Sequence, residues 1–353
     1  MARCVLCGRE SILIASSLSL CADCIRQQPE QALPLAAGVH REARREFDLP
    51  EAPPRSASGK SCYLCSNQCH MAEGERGYCG LRYNKGGTLK HLAGIPAKGL
   101  LHWYFDPLPT NCVADWVCAG HSRYGYKNLA VFYGACTFNC LFCQNWHYRQ
   151  MSPHARGLSA EELAACADER TFCVCYFGGD PTPQMAHALA TSRLLAEQGI
   201  RICWETNGSM HPALVKQMVE LSLRSGGCIK FDLKAWDDSL HRALTGSSNR
   251  RTLQNFAWIA AQLHRRPQPP LLIASTLLVP GYIDLQEVRQ LAAFIASLDP
   301  SIPYALLGFC PQFYIHDLPT TSVRHAEEAL TAAREAGLRN VRIGNHHLLS
   351  RAY

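Results

Sequence analysis

The sequence predicts an α/β fold, a partial (β/α)6 barrel of the TIM type that follows cysteine-rich N-terminal modules. From about Leu129 onward, short apolar segments rich in β-branched and aromatic residues alternate with amphipathic helical patterns. Repeated strand–helix units favour a parallel sheet with right-handed crossovers, and six or seven of them are typical of an incomplete barrel. The modules are predicted from the 19 cysteines, many of which stand in short clusters before or at the start of this region.

Seven strands are predicted, each ending at glycine or polar residues. Their ranges are 129–134, 172–179, 200–208, 228–234, 271–281, 304–311 and 341–345. The helices between them carry start and stop signals. Ser159 with Glu162 forms a capping box, Gly199 and Gly226 end the next two helices, and the last helix is expected over about 322–336. In such barrels the chemistry lies at the carboxyl ends of the strands.

The chain is expected to divide into four parts. Residues 1–28 carry two cysteine pairs and are predicted to fold as a separate metal-binding module, and residues 29–60 form a polar linker with a short helix around residues 40–47. Residues 61–125 form a cysteine-rich cap or auxiliary metal region with little periodicity. The barrel takes residues 126–353.

Composition excludes several functional classes. The formal net charge of +6 is spread along the chain without a Lys/Arg block, so we expect neither nucleic-acid nor membrane-surface binding. No run reaches the roughly 18 apolar residues of a membrane span, and the apolar stretch 12–20 lacks a signal-peptide cleavage site. Because cysteine-rich secreted scaffolds are usually much shorter, the composition indicates a cytoplasmic metalloprotein.

A three-cysteine motif follows the first predicted strand. Cys136, Cys140 and Cys143 have the spacing Cys-x3-Cys-x2-Cys. A [4Fe–4S] cluster normally takes four thiolates, so three leave one iron open to a non-protein ligand. That iron can bind the amino and carboxylate groups of S-adenosylmethionine (SAM) and pass it an electron, a chemistry that belongs to the cofactor. The spacing alone would also suit a structural zinc site.

Four further motifs stand at consecutive predicted strand ends. They are Gly178-Gly179-Asp180-Pro181, Glu205-Thr206-Asn207-Gly208, Phe231-Asp232-Leu233-Lys234 and Val279-Pro280-Gly281. Taken singly, each suits a tight turn or a surface ion pair. Together with the three cysteines, and in this order, they resemble the radical SAM superfamily. The tail Cys143-Gln144-Asn145-Trp146 and the stretch from Cys62 to Gly80 resemble the pyruvate formate-lyase-activating enzymes, in particular the radical SAM component of the AmmeMemoRadiSam system.

This resemblance implies a barrel of the radical SAM class, a [4Fe–4S] cluster on the three cysteines, and bound SAM. It implies an electron donor such as flavodoxin or ferredoxin, and a 5′-deoxyadenosyl radical that abstracts hydrogen from an unidentified small-molecule or peptide substrate. Asp180 replaces the usual glutamate, and Cys310 stands where these families place a histidine. The residues that the resemblance assigns to SAM are Phe142, Gly178, Gly179, Asp180, Thr206, Asp232 and Lys234.

Two alternative functions stay open. One is a glycyl-radical-enzyme activating enzyme, and the other is a non-catalytic metal-binding adaptor. The 135 residues before Cys136 argue against the first, because the related activating enzymes typically place this motif close to the N-terminus, and the complete set of SAM motifs argues against the second. We expect the segment 61–129 to enter the first strand from the barrel bottom and to be long enough to cover its side or mouth. A covered mouth would favour a small substrate or peptide over a folded protein partner.

The remaining cysteines suggest further metal sites. Cys4-x2-Cys7 and Cys21-x2-Cys24 have a spacing close to that of a zinc ribbon, and a rubredoxin-like iron site has the same ligand count. A second set could close a zinc site or hold an auxiliary Fe–S cluster, because thiolates suit both. Its members are Cys62, Cys65, Cys69 and Cys79.

Cysteines outside these sets are expected to be structural. Cys112 and Cys118 are interpreted as unpaired loop residues or added ligands. The others lie in helix or strand patterns and are interpreted as small buried apolar residues. They are Cys166, Cys173, Cys175, Cys203 and Cys228.

Overall fold

The computed structural model of the chain describes residues 1–110 and 112–353. Its N-terminal part contains three small antiparallel strand pairs and two helices. The elements are β1 (Ala2–Arg3), β2 (Glu10–Ser11), α1 (Ala22–Gln27), α2 (Pro29–Arg45), β3 (Lys60–Ser61), β4 (His70–Met71), β5 (Arg82–Lys85) and β6 (Thr88–His91). The pairs are β1–β2, β3–β4 and β5–β6. Within the described residues, no helix is long and apolar enough to cross a membrane.

An eight-stranded sheet forms the rest of the molecule. Its strands are β7 (Leu101–Pro107), β8 (Lys127–Tyr133), β9 (Thr171–Gly178), β10 (Arg201–Thr206), β11 (Ile229–Asp232), β12 (Leu272–Leu278), β13 (Tyr304–Gly308) and β14 (Val341–Gly344). The helices are α3 (Ala160–Ala164), α4 (Met185–Glu197), α5 (Pro212–Ser225), α6 (Asp238–Thr245), α7 (Arg250–Ala260), α8 (Leu285–Leu298) and α9 (Val323–Glu335). Short 3-10 helices cover Trp146–Gln150, Thr182–Gln184, Leu263–Arg265 and His346–Leu348.

The sheet confirms the predicted class of fold. Strands β8 to β14 are parallel and lie side by side in chain order. The helix signals also act as expected. Ser159 N–H donates to Glu162 Oε2 at 2.7 Å, and Glu162 N–H donates to Ser159 Oγ at 3.1 Å. Gly226, with φ of 77°, ends α5 in the left-handed conformation.

Strand β7 was not predicted. It pairs antiparallel with β8, and Leu101 lies opposite Tyr133 while Pro107 lies opposite Lys127. As an edge strand it leaves most of its residues partly or fully exposed, and its short aromatic run, 103–105, is flanked by His102 and Asp106. Because β7 runs against β8, the chain reaches the sheet at the carboxyl end of β8. The chain then enters β8 from the barrel bottom, as expected, because Pro107 lies opposite Lys127 at the amino end of β8, whereas the residues before Leu101 lie near the carboxyl end.

The predicted linker is largely a helix. α2 has 17 residues and begins with Pro29 in its first turn. Four of its buried residues, Ala32, Ala36, His40 and Ala43, recur at helical spacing and face the barrel side, where α2 contacts α6. The helix predicted around residues 40–47 was too short. The segment looked like a polar linker because its charged residues lie on the outer face of the helix and its buried residues are mostly alanine.

The first 28 residues share the core of the barrel. Ala15 N–H donates to Tyr282 Oη at 3.1 Å, and Tyr282 Oη donates to the Leu20 carbonyl at 2.9 Å. The Arg26 guanidinium lies 2.7 Å from Asp284 and 3.2 Å from Glu287. These contacts join the segment to the β12–α8 connection, so it does not stand apart as the separate module that the cysteine spacing suggested.

Candidate active site at the carboxyl ends of the strands

The loop after β8 brings the three cysteines to one cavity. Cys136, Cys140 and Cys143 all line it. Cys140 is buried, and the other two are partly exposed. The loop is fixed to the end of α6, where Asn139 N–H donates to the Thr245 carbonyl at 2.8 Å. The three thiols are therefore fixed by the fold rather than displayed on a free loop.

The surroundings of these thiols fit a polynuclear cluster. Phe138 N–H and Asn207 Nδ2 point at Cys136 Sγ, at 3.4 Å and 3.7 Å. Burial and the nearby Asp180 raise the pKa of the Cys136 thiol, and the Phe138 contact opposes that shift. Burial raises the pKa of the Cys140 thiol to about 12, against the attraction of Lys234. Among the described residues, these sulfur atoms do not form a group within 4.8 Å of one another. A single zinc ion needs sulfur atoms about 3.8 Å apart, whereas a [4Fe–4S] cluster binds each sulfur to a different iron.

Two glycines bring the end of β9 against the cysteine loop. Gly179 N–H donates to the Tyr133 carbonyl at 3.0 Å. A Cβ atom on Gly178, whose φ is 100°, would lie 2.7 Å from the Tyr133 nitrogen, and one on Gly179 would overlap the Ala135 carbonyl. Both positions therefore require glycine for close packing. Both also line the cavity, as the proposed contact with SAM requires.

Asp180 ties the ends of β9 and β10 together. Its Oδ1 accepts from Thr182 N–H at 2.8 Å, and its Oδ2 accepts from Thr206 Oγ1 at 2.9 Å and from Asn207 N–H at 2.8 Å. Burial raises the pKa of this carboxyl group, and the hydrogen bonds oppose the shift. Asp180 and Thr206, two predicted SAM ligands, are thus partners of each other at the cavity wall.

Asp232 and Lys234 form an ion pair at the end of β11, and both line the cavity. Burial disfavours the charged Lys234, but Asp232 and Cys140 together raise its pKa above the ordinary value. Lys234 Nζ lies 5.6 Å from the centre of the Phe142 ring. Within the described part of the chain, the buried Asp232 Oδ1 has no hydrogen-bond partner. It is therefore an acceptor that a ligand hydroxyl could use.

Sequence reasoning missed a buried cation beneath the cavity. Lys230 is fully buried, with Nζ 2.9 Å from Cys112 Sγ, 2.9 Å from Cys175 Sγ and 3.3 Å from Glu205 Oε2. Glu205 itself lines the cavity. Cys112 and Cys175 thus accept hydrogen bonds from an ammonium group rather than acting only as loop or packing residues. Strand alternation places Lys230 on the same face as Asp232, which is the signal that could have revealed it.

Arg149 was also missed. This buried residue lies in the 3-10 helix after the cysteine loop and lines the cavity. Its Nη2 donates to Asn139 Oδ1 at 3.0 Å, whereas Nε and Nη1 have no partner in the part of the chain that the structure describes. The charge of Tyr148 and of the Cys143 and Cys136 thiols raises its pKa against the opposing effect of burial. No sequence motif marks it.

The N-terminal cysteines meet as predicted. The sulfur atoms of this set lie within 4.8 Å of one another, and Cys7 Sγ is 3.8 Å from Cys21 Sγ. The set consists of Cys4, Cys7, Cys21 and Cys24.

The remaining cysteines lie outside both sites. One apolar cluster contains Cys118, Cys173, Cys203 and Cys228 together with Cys175. Cys166 Sγ donates to the Glu162 carbonyl at 3.3 Å. Cys310 does not line the candidate active site.

Comparison with known proteins adds a family match. Residues 130–295 match the model of the Radical SAM superfamily. An uncharacterized protein of Methanocaldococcus jannaschii is 27% identical over 303 residues, which cover 80% of each chain. A putative glycyl-radical enzyme activating enzyme of the same organism is 27% identical, over 55% of this chain and 72% of its own. The isethionate sulfite-lyase activating enzyme of Oleidesulfovibrio alaskensis is 31% identical, over 44% of this chain and 49% of its own.

Proposed function

We propose that this chain, an enzyme with a radical SAM domain, cleaves SAM reductively and uses the resulting radical to take a hydrogen atom from a substrate. When bound, the [4Fe–4S] cluster supplies the electron for that cleavage, and SAM supplies the 5′-deoxyadenosyl radical. The observation that carries the proposal is the convergence of the Cys136, Cys140 and Cys143 thiols on one cavity. That cavity is lined by the ends of five successive parallel strands, β9 to β13.

Different residues of the cavity would bind different parts of the cofactors. The three thiols would ligate the cluster, and Lys234 would offer a positive charge to the SAM carboxylate or a donor to the ribose. The unpartnered Asp232 Oδ1 would accept from a ribose hydroxyl. Phe142 would give an apolar surface for the adenine. Asp180 would act chiefly as a positioning residue, because three protein donors already occupy its carboxylate.

The same walls would protect a reactive radical. Phe138, Cys140 and Phe142 are each less than a tenth exposed and close the inner side of the cavity. Gln144 and Asn145 are exposed and mark its open side. Water is thereby kept from the inner wall, where a radical would otherwise react without control.

The test is SAM cleavage by the full chain. Protein reconstituted anaerobically with iron and sulfide is reduced with dithionite in the presence of SAM, and 5′-deoxyadenosine and methionine are measured by chromatography. We expect turnover in the wild type, none in Cys140→Ala, and wild-type turnover in Cys166→Ala, a cysteine outside the site. Retained cleavage after replacement of all three motif cysteines by alanine would refute the proposal. A non-catalytic adaptor would show no cleavage in any variant.

A second candidate function is activation of a glycyl radical enzyme. One relative is named a putative glycyl-radical enzyme activating enzyme, and others are named activating enzymes of isethionate sulfite-lyase. The cavity opens at Gln144 and Asn145, where a loop of a partner protein could enter. The expected covering of the mouth argues against this function, because the chain enters β7 at the carboxyl end of β8, and Tyr78 and Cys79 line a cavity together with Cys136. A stable glycyl radical signal, detected by electron paramagnetic resonance after incubation with glycyl radical proteins of the same organism, would decide for it.

We also propose zinc at the N-terminal cysteine set. The 3.8 Å between Cys7 Sγ and Cys21 Sγ equals the edge of a tetrahedron with Zn–S bonds of about 2.3 Å. A single iron with four thiolates would fit the same geometry, so metal analysis of protein purified without added iron distinguishes the two.

A further inference from the structure

A second set of four cysteines faces a separate small cavity beside the candidate active site. These are Cys62, Cys65, Cys69 and Cys79. Cys62 N–H donates to the Cys69 carbonyl at 2.8 Å, next to the β3–β4 pair. Gly80 N–H donates to the Gly77 carbonyl at 2.8 Å, in a turn that carries Cys79. Backbone structure therefore brings all four side chains to one place.

The spacing of these sulfur atoms differs from that of the N-terminal set. Within the described residues, the N-terminal cysteines form a group whose ligand atoms all lie within 4.8 Å, and the second set does not. A single tetrahedral ion needs sulfur atoms about 3.8 Å apart. Within the described residues, Cys136, Cys140 and Cys143, the motif that holds a cluster in the radical SAM family, likewise do not form such a tight group.

Donors are already aimed at two of these sulfur atoms. Tyr78 N–H points at Cys69 Sγ from 3.4 Å, and the guanidinium of the buried Arg82 points at Cys79 Sγ from 3.8 Å. Hydrogen bonds and positive charge at sulfur stabilise an anionic iron–sulfur centre and tune its potential.

The local core is too small to hold this region alone. Its buried members are Cys69, Met71 and Tyr78. Regions with so little buried apolar surface commonly depend on a bound metal.

The second cavity shares walls with the catalytic loop. Thr137, the residue after Cys136, lines it, and Asn67 Nδ2 donates to the Thr137 carbonyl at 2.7 Å. A further cavity is lined by both Cys79 and Cys136. A redox centre on the second set would therefore lie directly beside the catalytic one.

We infer that Cys62, Cys65, Cys69 and Cys79 bind a [4Fe–4S] cluster in which every iron has a protein ligand. Binding removes one proton from each thiol, and the iron and sulfide come from outside. Because no iron is open, this cluster does not bind SAM. It can accept one electron from a low-potential reductant, such as dithionite or a reduced iron–sulfur protein, and pass one electron to the catalytic cluster. Only this last step rests on the proposed function.

The test uses the full chain in which Cys136, Cys140 and Cys143 are all alanine. After anaerobic reconstitution, we expect about four irons and four acid-labile sulfides per chain beyond any single ion at the N-terminal set, which takes no sulfide. Reduction with dithionite should give an electron paramagnetic resonance signal that SAM does not change. Adding Cys79→Ala to this variant should abolish the signal, whereas adding Cys166→Ala should leave it intact.

A second experiment guards against misfolding of the triple variant. In the otherwise wild-type chain, Cys79→Ala should lower the sulfide content from about eight to about four per chain, since one of two clusters is lost. The inference is overturned if the soluble triple variant binds no sulfide, if one zinc ion occupies the second set, or if Cys79→Ala leaves the sulfide content unchanged. None of these results depends on whether the protein cleaves SAM.

Discussion

His40 Nδ1 lies 3.0 Å from the Asn139 side-chain nitrogen, so a helix near the N-terminus supports the loop that carries Cys136, Cys140 and Cys143. The other ring nitrogen, Nε2, is 3.1 Å from the Ala243 carbonyl. One ring nitrogen therefore accepts and the other donates, which fits a neutral imidazole. Asn139 in turn accepts from Arg149, so this contact extends to the cavity wall.

The neutral state of His40 gives the first prediction. Burial lowers its pKa from 6.5 to about 4. As pH falls from 6.5 towards 4, His40 is protonated in the unfolded chain but stays neutral in the folded one. It therefore lowers the free energy of unfolding by roughly 1.4 kcal/mol per pH unit. Above pH 6.5 this penalty is absent. His40→Gln should therefore lose less stability than the wild type between pH 7.5 and 5, as measured by anaerobic urea unfolding of protein with equal metal content. Equal losses would contradict this.

Asp180→Ala should weaken both the fold and SAM binding. The change leaves three buried donors without their acceptor, and each unpaired donor costs about 1–3 kcal/mol before relaxation. We expect the free energy of unfolding to fall by about 2–4 kcal/mol and the SAM dissociation constant to rise roughly tenfold or more, by calorimetry. Exposed Glu169→Ala serves as the control. Unchanged SAM affinity would show that Asp180 is only a turn residue.

Arg149 should set the potential of the cluster proposed at Cys136, Cys140 and Cys143 through its charge. Reduction adds a negative charge beside this buried cation, so Arg149→Gln should shift the midpoint potential to a more negative value. Arg149→Lys keeps the charge and should shift it less. The measurement is a spectroscopic redox titration in the absence of SAM. Equal shifts in both variants would point to a packing role through Tyr148 and Phe313, whose rings the guanidinium contacts.

Deletion of residues 1–28 should destabilise the whole chain. Leu18, Leu20 and Ile25 are almost completely buried in the shared core, and burying each contributes about 1.5–3 kcal/mol. Their joint loss is comparable with the total stability of a typical domain. Cys7→Ser, at an exposed member of the N-terminal cysteine set, should instead remove the proposed metal ion and leave a folded barrel. Thermal unfolding and metal analysis test both, and a stable, cluster-loaded deletion variant would contradict the prediction.

The sequence predicted the barrel because its parallel strands carry dense apolar runs and end at glycine or polar residues. It missed β7, whose side chains are partly exposed, and most of α2, whose buried face consists of small residues. The cysteine motif and the strand ends were found because local spacing encodes them. Lys230 and Arg149 were not, because their partners Cys112, Glu205 and Asn139 are brought to them by the tertiary fold.

The contact between Arg26 and Asp284 spans 258 residues of chain. At a synthesis rate of about 5–20 residues per second, the ribosome needs roughly 13–50 seconds to make the second partner after the first. During that interval Leu18, Leu20 and Ile25 have no barrel to pack against. The four N-terminal cysteines, in contrast, are complete within the first 24 residues. A metal ion bound there would let the N-terminal segment fold while the rest of the chain is still being made. The yield of active enzyme would then depend on the metal supply during translation.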